Sequence, residues 1–240
     1  MLKLVAFAKK NFADIEADLS LDKNRKKSHN MILASRTVEE ILHQMKEVSG
    51  FSENLLDLVF CSGEGEIEQT FEFYKNLAQN RARPILFQNS LHNSTLGSLS
   101  LEVPLLSYGM TISNGDISFE TALDAALSSQ SGNPILIMGV DAFNEEIKFL
   151  RNESYQNKVE FVSGACAGMF IPEGHPLFNI MPGPIIKDIK FEMKAEADSF
   201  FNYYPSNGLE AIHEHLKTST LPFSLNRPKG HVVTIICHEN

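Results

Sequence analysis

Residues 84–143 read PILFQNSLHNSTLGSLSLEVPLLSYGMTISNGDISFETALDAALSSQSGNPILIMGVDAF. Two apolar runs here, Leu105–Ser113 and Ile135–Val140, have the length of strands. The second is apolar throughout, as expected of a strand covered on both faces. Between them, Asp116–Ser128 puts Phe119, Ala122, Leu123 and Ala126 on one side of a helix. Asn93–Leu101 makes a short helix whose small Ser and Gly positions admit close backbone approach. The strand and the long helix meet at a sharp turn, Ser113-Asn114-Gly115-Asp116, which carries no cysteine.

Upstream, Leu2–Ala8 reads as a strand, and Ser35–Val48 as a helix with Val38, Ile41, Leu42 and Met45 on one face and Thr37 as its cap. Asn54–Cys61 is a buried strand running into Ser-Gly-Glu-Gly. That turn reads as a plain strand-to-helix connection rather than a phosphate loop, because Glu64 and Glu66 would repel an anion and no lysine follows. Ile67–Gln79 is an amphipathic helix through Ile67, Phe71, Tyr74 and Leu77. Lys23–Lys27 (KNRKK) is a basic cluster, read first as a solvated loop and second as a small partner-binding patch.

Downstream, Val159–Ile171 is a strand with very small residues at its middle. Ile185–Met193 alternates like a half-exposed strand, Gly208–Lys217 is a short helix, and His231–Cys237 is a closing strand. Strands alternating with helices predict an α/β fold with a mainly parallel, helix-covered sheet. The 240 residues are read as one domain, an N-terminal half over 1–158 and a shorter part over 159–240.

The net charge of −9 argues against a nucleic-acid partner, which would need a basic face. No segment has the apolar length to span a bilayer. Cys61, Cys166 and Cys237 are far apart, each in an apolar run, so buried free thiols and a cytoplasmic location are expected.

Gly164-Ala165-Cys166-Ala167-Gly168 has the form of a nucleophile elbow, which requires a helix directly after the nucleophile. Pro172, Gly174 and Pro176 leave no room for one, so a strand with Cys166 as a small buried hydrophobe is the preferred reading. The rival is a thiol acyltransferase or hydrolase using Cys166 with His92 or His231. His213 and His215, two apart on a helix, point to different faces and cannot chelate together; no metal site and no cofactor is expected. Asp116 reads as a first-turn carboxylate favoured by the helix dipole, and Asp141 as a strand end that meets solvent or a partner.

Val59–Gln69, Pro84–Leu101, Thr111–Leu127 and Pro134–Ala142 together resemble the N-terminal half of the β-ketoacyl synthases. More closely, the length and the SLHN…GSLS string are similar to the truncated ketoacyl-synthase-like chain-length factors of aryl polyene gene clusters. The resemblance implies a thiolase-like fold, layered αβαβα, with a near-complete N-terminal half and an abridged C-terminal half. It sets Asn114, or with a one-residue slip Gly115, at the position of the nucleophilic cysteine. An amide cannot form the acyl thioester, so the resemblance implies no catalytic residue and a subunit inactive by itself. It further implies a heterodimer with an active β-ketoacyl synthase, formed by pairing of the strand bearing Leu105, Leu106, Tyr108, Met110 and Ile112. Acyl carrier protein would be contacted mainly through that partner. Met110 and Phe119 are the expected linings of the acyl tunnel, which would limit chain length; a purely structural scaffold is the further alternative.

Overall fold

The computed structural model describes residues 1–51, 55–103, 106–155, 159–193, 201–203, 207–218, 222–227 and 231–238. In chain order the elements are β1 (Leu2–Asn11), α1 (Glu16–Leu19), α2 (His29–Met45), β2 (Leu56–Cys61), α3 (Ile67–Ala78), α4 (Pro84–Asn89) and α5 (Ser94–Glu102). Then come β3 (Leu106–Ile112), α6 (Ser118–Leu127), β4 (Ile135–Asp141), α7 (Glu145–Ser154), β5 (Val159–Phe161) and β6 (Gly164–Pro172). The chain closes with β7 (Ile185–Met193), β8 (Phe201–Tyr203), α8 (Asn207–Thr218), β9 (Phe223–Asn226) and β10 (His231–His238).

Eight strands form one sheet in the order β3-β2-β4-β6-β1-β7-β10-β9, and β5 pairs separately with β8. Among the described residues, the parallel pairings of the eight-stranded sheet are β3-β2 and β2-β4, and β5 also pairs with β8 in parallel. The other five pairings of the sheet are antiparallel, which corrects the expectation of a mainly parallel sheet. The physical reason is that β6 returns between β4 and β1 instead of crossing over in parallel, a choice that apolar periodicity does not encode.

The small residues expected in the middle of Val159–Ile171 are what this placement needs. A Cβ at Gly168 would come within 2.8 Å of Leu4 and 3.2 Å of Leu209, so the bare backbone lets β1 and α8 close on β6. α2 covers one face of the sheet, packing on β1 and β6, and α6 covers the other at β2 and β4. Because α6 also touches β7, which lies beyond β6 and β1 in the sheet, the sheet curls around that helix. Phe119 and Leu123 of α6 are buried among residues of β2, β4, β7 and β10.

Two local readings change. α2 begins at His29, with Ser28 Oγ accepting the Met31 N–H at 3.1 Å, so Ser28 and not Thr37 is the cap. Thr37 lies inside the helix and donates its hydroxyl to the Leu33 carbonyl at 2.7 Å. On α3, Tyr74 and Leu77 are exposed rather than buried, whereas Ile67 and Phe71 pack half-buried against Phe143 and its neighbours.

Candidate functional site

Among the described residues β3 is bonded to β2 on one side only, so it is the edge of the sheet. Of the expected pairing residues Leu105 lies outside the described residues; Leu106, Tyr108, Met110 and Ile112 all lie on β3. None of these four is buried, and Tyr108 is 55% exposed. An edge with open backbone groups and exposed apolar side chains is a template for another strand.

The turn after β3 is held by α6. The Asn114 N–H donates to Ser118 Oγ at 2.8 Å, and Asn114 Nδ2 donates to Thr121 Oγ1 at 3.1 Å. The Ser118 hydroxyl, fully buried, lies 3.1 Å from the Ser62 carbonyl and 2.7 Å from that of Gly115. Gly115 takes a φ of +56°, the left-handed region that a side chain resists. Asn114 is exposed, and its amide acts as a staple across the start of α6.

Behind the turn two acidic residues are buried. Asp116 Oδ1 is 3.3 Å from His231 Nδ1, and Glu120 is paired with Arg227. Arg227 is 5% exposed and Glu120 0%. Burial pushes the Glu120 carboxyl above its ordinary value, and Arg227 opposes that push. The expected first-turn carboxylate is thus a buried one, and Arg227 and His231 each meet an acidic residue at the start of α6. Nothing in the order of residues signals that Glu120 or Arg227 meet across more than a hundred positions.

At the other end of the edge an open cavity of about 430 Å³ lies between β3 and α6. Val59, Tyr108, Met110, Ala126 and Ile135 give it apolar walls. Its rim is polar: Ser107 Oγ and Asn133 Nδ2 both donate to Asp57 Oδ1, at 2.7 and 3.1 Å. Phe119 is fully buried, in the cluster against which Met110 packs.

The glycine-rich turn after β2 holds a carboxyl group, one supplied by the chain. Asp141 is fully buried, accepting from Ser62 Oγ, from Gly63 N–H at 3.0 Å and from Glu64 N–H at 3.1 Å. Its partner is therefore the turn, not solvent. Burial pushes its carboxyl up to about 8 despite these hydrogen bonds. Next to it, buried Glu66 accepts from Ser28 Oγ at 3.1 Å and from Thr95, and burial pushes it up to about 7.

Cys166 lies in mid-strand, its backbone beside Gly139 and Lys9, with no exposed surface. Cys61 is buried too, and desolvation raises its thiol well above the ordinary value. His92 is exposed, against Gly65. His213 stacks on Phe7 at 4.2 Å and His215 on Phe223 at 4.2 Å, so they do point apart, and both are half-buried. Among the described residues no group of three His, Cys, Asp or Glu could hold a metal ion, and no helix is long and apolar enough to cross a membrane.

No curated protein matches the chain by sequence. Solved structures do match by shape. A chain of the ketosynthase (ApeO) in complex with its chain length factor (ApeC) from Xenorhabdus doucetiae superposes with a TM-score of 0.68 at 17% identity, over 98% of both chains. A chain of the AntDE:AntF complex, a type II polyketide synthase acyl-carrier protein with its ketosynthase bound to the hexaketide, gives 0.71 at 11%, again over 98% of both. The ishigamide ketosynthase/chain length factor gives 0.63 at 10%, over 80% of this chain and 67% of that one. These likenesses show a thiolase-like fold. The β-ketoacyl synthase N-terminal domain family matches residues 31–171, a span that takes in the whole of the turn and the strands beside it, and the chain belongs to that family.

Proposed function

We propose that this chain is a chain-length factor: a non-catalytic subunit that pairs with an active β-ketoacyl synthase and limits the acyl chain that synthase builds. One observation carries the reading. Among the described residues the strand leading into the turn is an open sheet edge, and the turn presents an exposed asparagine and no cysteine; the family resemblance sets the nucleophile at Asn114 or, with a one-residue slip, at Gly115. Asn114 has no ionisable proton to give up and spends its amide on Thr121.

The surface around that edge supports the same reading. Tyr74 and Leu77 of α3, Ile85 and Phe87 of α4, Leu101 of α5 and Tyr108 of β3 are all exposed, on elements that touch in that order. An apolar face of that extent is the mark of a partner surface, and β-augmentation at β3 would align it. The likeness to ketosynthase and chain length factor complexes favours a ketoacyl synthase as that partner. Aryl polyene synthesis is the product class carried over from the resemblance. Within the pair, Met110 would meet the acyl chain from the cavity wall, with Phe119 fixing that wall from behind.

Co-expression with a β-ketoacyl synthase is expected to give a stable heterodimer whose condensing activity survives Asn114→Ala and is abolished by replacing the synthase's cysteine. Met110→Ala is expected to lengthen the products. A monomer that ignores the synthase, or loss of condensation from Asn114→Ala in an intact complex, would sink the reading. The thiol-enzyme alternative finds no support in Cys166, which no substrate can reach in the folded chain.

A further inference from the structure

A second cavity, of about 530 Å³, has no residue of the stretch 84–127 in its wall, so it is separate from the edge strand and the Asn114 turn. β1 and β4 both run antiparallel to β6, which puts their carboxyl ends at the same edge of the sheet, and the cavity sits at those ends. Crevices outside the carboxyl ends of strands are where α/β sheets hold ligands, and the volume is that of a small-molecule site. One side of it is aromatic. Phe143 and Phe161, almost wholly buried, meet edge to face with centroids 5.3 Å apart. The Phe143 N–H donates to Ser163 Oγ at 2.9 Å, which fixes these rings to the turn before β6. Phe12 adds a further wall, edge-on to His29 at 5.0 Å.

The charges around these rings do not balance. Glu68, largely buried, is paired with His29 at 2.7 Å, and Glu145 with Lys148 at 2.8 Å. Glu160, exposed on β5, also lines the cavity and is in no ion pair among the described residues. The N-terminus of α7 opens here too, but Asn144 caps it and Glu145 and Glu146 fill its first turn, so an anion would be repelled. We propose that this cavity binds an organic cation, an amine whose ammonium group meets Glu160 and whose apolar body lies against Phe12, Phe143 and Phe161. Aromatic faces attract a cation through their quadrupole, the more so when water is excluded, and the carboxylate gives the ammonium a charged hydrogen-bond acceptor. The inference does not rest on the reading of the chain as a synthase partner, because the two sites share no lining residue.

The test titrates 2-phenylethylamine into the full chain by calorimetry near neutral pH, with 2-phenylethanol, similar in size but uncharged, as the matched probe. Wild type is compared with Glu160→Gln, Glu160→Lys and Phe12→Leu, and melting curves check that each variant keeps its fold. In wild type the amine is expected to bind about tenfold more tightly than the alcohol, and to weaken as salt rises. Glu160→Gln should weaken the amine by about threefold and Glu160→Lys should erase its preference over the alcohol, while the alcohol binds all of these proteins alike. Phe12→Leu keeps the bulk but removes a ring, so it should weaken the amine more than the alcohol. Three results overturn the proposal: amine and alcohol binding wild type within about twofold of each other, a preference that survives Glu160→Lys, or no binding of the amine up to about 10 mM. The first of these would leave an apolar cleft indifferent to charge.

Discussion

Arg227 Nη2 donates to Glu120 Oε1, tying the end of β9 to α6 one turn beyond the Asn114 turn, with both side chains out of water. A buried pair of this kind gives little net stability when whole and costs much when halved, because the survivor is left charged in an apolar setting. Glu120→Ala should destabilise the chain by about 3–5 kcal/mol in denaturant unfolding. The companion variant Glu120→Gln with Arg227→Met should recover most of that loss. Equal stability for Glu120→Ala and wild type would mean the pair is not closed in solution.

The two halves of the pair should not be equivalent. A stranded arginine cannot lose its proton, whereas a stranded Glu120 can gain one. Burial already raises the Glu120 carboxyl with Arg227 in place, and nothing would oppose it in Arg227→Met. A folded-state value above the unfolded one gives stability that is present at low pH and lost as pH rises through the folded value. The deficit of Arg227→Met should therefore be small near pH 5 and grow toward pH 8. Melting curves of both proteins across that range give the answer, and a pH-independent difference would contradict it.

Asp141 and Glu66 bring the same sign to the turn after β2. Their carboxyls are raised to about 8 and about 7 by burial, so the folded protein binds protons there that the unfolded chain releases. Their stabilising contribution is complete below the unfolded carboxylate range and declines as pH rises to about 8. Asp141→Asn removes one of these titrations, so the melting-temperature difference between it and wild type should shift in the variant's favour as pH rises from 5 to 8. A constant difference would show that Asp141 titrates normally.

Gly168 is a packing requirement of β6. A methyl there meets Leu4 at 2.8 Å and Phe170 at 2.9 Å, both in the core. Gly168→Ala should cost about 1–3 kcal/mol through overpacking, read from the denaturant midpoint. Pairing it with Leu4→Ala should return part of that loss.

Thiol labelling separates the two readings of Cys166. Cys61 and Cys166 have no exposed surface, and desolvation pushes the half-buried Cys237 thiol up to about 11. Iodoacetamide near neutral pH should label the native chain slowly, with all three thiols reacting only on unfolding. Fast stoichiometric modification of Cys166 in the folded protein would revive the thiol-enzyme reading.

Much of this was legible in the chain itself. Apolar runs of strand length and helical spacing located β1, β2, β4, β7 and α6, because burial on one face or two leaves a period in the sequence. The absence of a thiol at Ser113–Asp116 and the strand character of Cys166 were equally local, the second forced by the prolines that follow. The placement of β6 between β4 and β1, the open edge at β3 and the capture of the Ser62–Glu64 turn by Asp141 were not legible. Nor was the burial of Glu120 against Arg227. Sequence pattern records which face of an element is apolar, but strand order and charge pairing depend on which distant element comes to lie against that face. The chain alone therefore determined the elements and the absence of cysteine from the turn; only the tertiary structure decided that the strand before the turn is, among the described residues, a sheet edge and that the space behind it is closed by an ion pair.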